Sequence, residues 1–286
     1  MRHLLLPLFT LSILLAGCDR VDAPQNPLPT TSDCEGVGNG NGYRRVLLED
    51  FTGFRCPNCP AAADVARQLQ SVYCEDLIVV GVHCTSTFAA PVASPPDPFS
   101  TDFRTVAGET YVGSFGFTGL PGGLINRTVY GGLLVLNAGS WGEAVADILG
   151  DPAQFEILFS QADFNTGTLT LDLEVKVAVL QDVTGDHNLT IYLIEDHIAE
   201  AQEDNRVPGG IVNPYDHRHV LRDNINGTWG ETVVTGSATA GDTLALGYSY
   251  PLASNVLVPS NCALVAYVYR VDNDEVMQVS ERKLIP

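Results

Sequence analysis

From Thr168 to Val179 apolar and polar residues alternate almost without a break, with Leu169, Leu171, Leu173, Val175, Val177 and Val179 on one face. Such a period of two marks a half-buried antiparallel strand. Shorter runs of the same kind recur at Leu189 to Ile194, His219 to Arg222, Thr243 to Tyr250, Ala263 to Val271 and Val276 to Val279, the last two joined through the turn Asp272-Asn273-Asp274. Short strands divided by Gly, Asn and Asp turns predict an all-β sandwich over residues 153–286. Upstream the pattern changes. A strand-like run from Arg45 to Phe51 leads to helical spacing over Cys59 to Tyr73, with Ala61, Val65, Leu69 and Val72 on one side, and then to a buried-strand run from Leu77 to Val82. Further elements are expected at Thr101 to Val112 (helix), Gly122 to Arg127 and Gly132 to Leu136 (strands), and Ser140 to Leu149 (helix, capped by Ser140 with Glu143 three residues on). Asp151-Pro152 closes this α/β unit, which spans residues 43–152.

The first residues do not belong to either folded unit. Arg2 and His3 precede an apolar run from Leu4 to Leu15 that is too short to cross a bilayer, and small residues follow at Ala16 and Gly17. Residues 1–17 therefore read as an export signal, and Leu15-Ala16-Gly17-Cys18 resembles a bacterial lipobox. That resemblance implies cleavage before Cys18, acylation of Cys18 and attachment to a lipid bilayer. Residues 18–42, rich in Pro, Gly, Asn and Asp, read as a flexible tether. A formal net charge of −19, spread along the chain, repels phosphate backbones and excludes nucleic acid as a partner.

Six cysteines remain beyond Cys18, an even number that suits an oxidising compartment. Cys56-Pro57-Asn58-Cys59 falls between a predicted strand and a predicted helix. A helix start aims unpaired N–H groups and partial positive charge at a nearby sulfur, which favours the thiolate at Cys56. Cys59 is then the less exposed resolving thiol, Pro57 stiffens the turn, and Arg55 is a further candidate source of positive charge. Two other features resemble the thioredoxin pattern. Asp50 stands six residues before Cys56, where thioredoxins hold a buried strand carboxylate that takes a proton from the resolving cysteine. Pro121, after Leu120 and before a strand, resembles the cis-proline that packs against the active disulfide. The redox reading requires an exposed Cys56 sulfur at the helix tip, facing a cis bond at Pro121. A structural disulfide, or a metal site completed by His83 and Cys84, stands against it. Topology also suggests a structural bridge from Cys34 to Cys74, closing a loop of about forty residues and worth on the order of 4 kcal/mol in a chain-entropy view. Cys84 and Cys262 are either a second bridge or two buried thiols.

The segment Leu47 to Pro60, with Ile194-Glu195-Asp196-His197-Ile198, His217-Arg218-His219-Val220-Leu221-Arg222 and Asn226-Gly227-Thr228-Trp229-Gly230, resembles the outer membrane protein 28-related lipoproteins of Bacteroidetes. The resemblance implies a thioredoxin-like domain followed by an immunoglobulin-like β-sandwich, in a lipoprotein of the outer membrane. It implies no settled activity. Two expectations follow: thiol-disulfide exchange on envelope proteins, with Cys56, Cys59, Asp50 and Pro121 as its residues, or a non-enzymatic surface or assembly lipoprotein whose sandwich binds a partner. No cofactor or bound metal is expected in either. The HxH pair His217 and His219 is a candidate metal pair on one strand face, set against a polar strand end. Trp229 reads as packing, and Asp182 to Asp186 as a hairpin turn rather than a calcium loop.

Overall fold

The computed structural model describes residues 42–92 and 98–285. In chain order the first elements are β1 (Val46–Thr52), α1 (Cys59–Tyr73), β2 (Leu77–His83), α2 (Ser86–Ala89), α3 (Val106–Ser114), β3 (Gly122–Ile125) and α4 (Trp141–Ile148). Twelve strands follow among the described residues: β4 (Phe155–Asn165), β5 (Thr170–Val179), β6 (Val183–Thr184), β7 (His187–Glu195), β8 (Ile198–Glu203), β9 (Ile211–His217), β10 (Val220–Asn224), β11 (Glu231–Val234), β12 (Ser237–Ala238), β13 (Thr243–Pro251), β14 (Cys262–Arg270) and β15 (Val276–Lys283). The described chain is thus mostly β, with few helices.

An eight-stranded sheet runs β15-β14-β7-β10-β2-β1-β3, with β11 also paired to β7. β1 lies parallel to β2, from Val46 opposite Leu77 to Thr52 opposite His83, and antiparallel to β3. Strands from both sides of residue 152 share this sheet. The junction is narrow: Val220 of β10 pairs with Gly81 of β2, and the Gly81 N–H donates to the His219 carbonyl at 2.8 Å. Without β10 the edge of the fully buried β2 would leave backbone polar groups unpaired away from water.

Alternation along the strands sorts the core into layers. On one face of the sheet Leu47, Phe51, Val80, Tyr192, Ile194 and Tyr267 pack together with Tyr111 and Phe115 around α3. On the other face Val46, Leu48 and Val79 lie under α1 and α4, and Leu189, Ile191, Leu193, Leu264 and Val268 lie under the second sheet, β13-β5-β4. That second contact is the sandwich. Glu49 and Arg127 form an ion pair at 2.8 Å with both side chains wholly buried, and the hydroxyls of Tyr192 and Tyr267 accept from Arg127. β1, β7 and β14 are tied together through it.

Local chemistry moves several elements from their expected places. Thr105 accepts from the Gly108 N–H and starts α3 at Val106, five residues later than the periodicity suggested. Ser140 makes no side-chain cap, because the preceding turn at residues 138–140 is capped by Asn137. Gly132 to Leu136 forms isolated bridges in place of a strand. Leu169 is half exposed in a left-handed turn with φ 53°, outside the buried row of β5. In β4 a bulge between Phe159 and Gln161 shifts the register and breaks the alternation of apolar and polar positions.

Candidate functional site

β1 ends at Thr52 and the chain turns through residues 53–58 into α1, whose first residue is Cys59 and whose N-cap residue is Asn58. The turn is tightly specified. A Cβ at Gly53 would lie 2.5 Å from the Phe88 carbonyl oxygen, so only glycine allows this approach. The Arg55 N–H donates to the same carbonyl at 2.9 Å, and the Arg55 guanidinium donates to the carbonyls of Ser86 and Thr87. Cys56 and Cys59 form a disulfide with Cα atoms 5.4 Å apart.

Asp50 points to the α1 side of β1, as its alternation with Leu48 requires, and is 4% exposed. Its Oδ1 meets no donor among the described residues. Burial raises its carboxyl to about 7, so near neutral pH it is divided between acid and carboxylate. Asp50 and Cys59 line one cavity of about 50 Å³, bounded also by Arg67, Tyr215, His217 and His219. That volume holds a few water molecules. Leu120-Pro121 is a cis peptide bond. The next residue, Gly122, pairs with Phe51, so the bond lies at the end of β1 from which the CPNC turn departs.

One expectation fails. The Cys56 sulfur was to be exposed at the helix tip, yet Cys56 and Cys59 are each 1% exposed. The cover is the β8–β9 hairpin, residues 198–217, for which the sequence pattern indicated no element. Gln202 donates its side-chain amide to the carbonyls of Gly53 and Cys56 at 3.3 and 3.2 Å. The Glu203 N–H donates to Phe54 at 2.7 Å and the Asn205 N–H to Pro57 at 3.0 Å. Arg206 bridges Asp64 on α1 at 2.6 Å. Beneath the hairpin Ile198 and Ala201 pack on Phe54, Phe99 and Phe103. Its apolar positions are too few and too irregular to reveal it in the sequence, since the contacts that hold it are mostly polar.

The remaining candidates separate. His83 and Cys84 fall on opposite faces: His83 borders the cavity, while Cys84 belongs to the core around Phe51. His83 is held neutral, well below the usual range, by burial and then by repulsion from His217 and Arg222. Burial pushes His217 down to about 4. His217 ends β9, whereas His219 sits in the following turn with φ 53°, so the HxH pair does not share a strand face. Among the described residues no three His, Cys, Asp or Glu side chains converge as metal ligands. Cys84 and Cys262 are buried free thiols, not a bridge, and lie in different core layers. Cys74 is disulfide-bonded, while Cys18 and Cys34 lie outside the described residues. Trp229 packs edge-on against Tyr111 at 5.2 Å. Asp182 and Asp186 accept backbone N–H groups of Ala240 and Gly236 around the β6 turn.

The model of one family, described as outer membrane protein Omp28, matches residues 108–285, a span that begins after the CPNC turn. No curated protein matches the chain. Among solved structures, HBP35 of Porphyromonas gingivalis is 16% identical with a TM-score of 0.62, covering 85% of this chain and 76% of its own. A protein from Agrobacterium tumefaciens is 14% identical with a TM-score of 0.50, covering 84% and 94%. A domain of the outer membrane lipoprotein Omp28 from Porphyromonas gingivalis is 26% identical over 47% of this chain and 90% of its own, with a TM-score of 0.32. The first two likenesses concern the fold alone.

Proposed function

As the chain belongs to the Omp28 family of outer membrane proteins, we propose that it is a cell-envelope lipoprotein, anchored through Cys18, whose thioredoxin-like CPNC turn exchanges disulfides with envelope proteins. The observation that carries this reading is the position of Asp50: a buried carboxyl with its pKa raised to about 7 shares a cavity with Cys59, the sulfur that must gain or lose a proton. The order β1, CPNC, α1, β2 supports it further.

The chemistry starts from the disulfide. A thiolate of a partner dithiol attacks the Cys56 sulfur and breaks the Cys56–Cys59 bond. Cys59 leaves as a thiolate and takes its proton from Asp50, which a neutral-range pKa equips to give it. The partner's second thiolate then attacks its own sulfur in the mixed disulfide and releases Cys56. The partner loses two electrons and the CPNC pair gains them. Run backwards, the same steps reduce a partner's disulfide, and the relative reduction potentials decide the direction.

A second reading has its own observation. Both cysteines are 1% exposed, which favours an inert disulfide in an assembly or surface lipoprotein whose sandwich binds a partner. Replacing Cys59 by Ser separates the two: exchange leaves partners trapped on Cys56 in the native envelope. Absence of trapped partners, with a parent disulfide that resists reduction to very low potential, overturns exchange and favours the binding module.

A further inference from the structure

We infer that the β8–β9 hairpin is a displaceable cover which shuts the CPNC disulfide away from partner thiols and swings off as a unit to admit them. The inference rests on the exchange reading above and supplies what that reading lacks, a route to a buried sulfur.

The hairpin stands apart from the rest of the fold. β8 and β9 pair only with each other, as a two-stranded sheet inserted between β7 and β10. An isolated two-stranded hairpin is marginally stable in water, so its hold on the body of the protein comes from its underside. That underside is small: Ile198 and Ala201 against Phe54, Phe99, Phe103 and Val220, the His217 ring 5.2 Å from Phe103 and 5.5 Å from His83, and the buried Gln202. The other ties are polar: those of Gln202 to the Gly53 and Cys56 carbonyls are buried, and the rest, including the Ser100 and Thr101 hydroxyls donating to Glu200, lie nearer the surface. Arg206 reaches Asp64, the Asn205 amide reaches Asn58, and Tyr215 accepts from Arg67. A solvent-exposed ion pair such as Arg206–Asp64 contributes little.

The roots of the hairpin, by contrast, are fixed. Glu195 ends β7 within the eight-stranded sheet, and the Asp196 N–H donates to Asn261 at 2.9 Å. The His219 N–H donates to Asp196 Oδ1 at 2.6 Å, and His219 Nε2 lies 3.1 Å from Gln70 Oε1 on α1. Each root carries a left-handed residue, His197 with φ 59° and His219 with φ 53°. Two anchored roots side by side, each with a sharp bend, define where the hairpin turns when its free end lifts. The free end is the part that covers the cysteines: Gln202, Glu203 and Asn205 supply the donors to the carbonyls of Gly53, Phe54, Cys56 and Pro57. Lifting it uncovers the whole turn at once, because these contacts sit within four consecutive residues.

The test uses the full chain and a phosphine reductant, which takes one disulfide to two thiols and becomes the phosphine oxide. Arg206→Ala combined with Asn205→Ala loosens the free end and touches neither cysteine. Reduction of Cys56–Cys59, followed by thiol labelling and mass spectrometry, is expected to quicken about tenfold, the scale set by losing a few surface ties. Exchange of the Glu203 and Asn205 amides is expected to quicken by the same factor, with the amides of β14 unchanged. Faster amide exchange with an unchanged, measurable reduction rate overturns the cover and leaves the exchange reading standing. A disulfide that survives all phosphine concentrations while the hairpin amides exchange freely overturns the exchange reading itself. In the parent chain, Glu203 and Asn205 amides that exchange only together with those of β14 overturn the cover, so the inference stays testable where the double variant fails to fold.

Discussion

Replacing Asp50 by Asn should make the protein less sensitive to alkaline pH. The Asp50 carboxyl titrates at about 7 in the folded chain against 3.8 for an unperturbed aspartate, with burial as the cause. Between those values the folded state holds one proton more than the unfolded state. Stability contributed by this group is therefore complete below the unfolded value near 3.8 and is lost as pH rises through the folded value near 7. Each pH unit inside the window costs about 1.4 kcal/mol, and a rise from pH 5 to pH 8 crosses about two such units, giving a loss of about 2.5 kcal/mol. Asparagine keeps the shape and cannot ionise. Urea unfolding of parent and Asp50→Asn at both pH values isolates the term, because other titrating groups cancel in the difference. The variant is expected to gain about 2.5 kcal/mol on the parent between pH 5 and pH 8. An equal gap at the two pH values refutes a buried, proton-sharing Asp50 and removes the support for its role beside Cys59.

Three other outcomes check the surrounding structure. Arg127→Met leaves Glu49 buried without its cation and should cost about 3–5 kcal/mol in thermal or urea melts, while the double variant Glu49→Leu with Arg127→Met recovers part of the loss, because no charge is left unpaired. Gly123→Ala drives a Cβ to 2.5 Å from the indole nitrogen of the buried Trp141 and should destabilise by about 1–3 kcal/mol, read from the urea midpoint. Cys84 and Cys262 should resist a thiol reagent until the chain unfolds: both are buried, burial pushes the Cys262 thiol up to about 12, and it pushes Cys84 above the ordinary range with Glu109 and Asp50 adding to the effect. Labelling counted by mass before and after denaturation reads this directly.

Periodicity made most of the regular elements legible. The helix from Cys59 to Tyr73 and the strands around Leu77, Leu189, Thr243 and Ala263 lie where alternation or helical spacing indicated. Which face is buried was less legible: in α1 Ala62 and Ala66 are buried, Val65 and Leu69 half-buried, and Ala61 and Val72 exposed, while the strand from Thr243 turns Leu246, Tyr248 and Tyr250 only partway into the core. Local chemistry also told which residues could form the disulfide, because Cys56 and Cys59 are three residues apart and need no distant partner. Long-range decisions were hidden. Whether Cys56 is open to a partner depends on Gln202, Glu203 and Asn205, about 150 positions away and held by hydrogen bonds that leave no hydrophobic pattern. The joining of both halves into one sheet turns on Gly81 meeting Val220 edge to edge, a backbone contact that side-chain periodicity does not record. The protonation of Asp50 was equally out of reach, because a carboxylate in a sequence looks the same whether tertiary packing gives it water or takes it away.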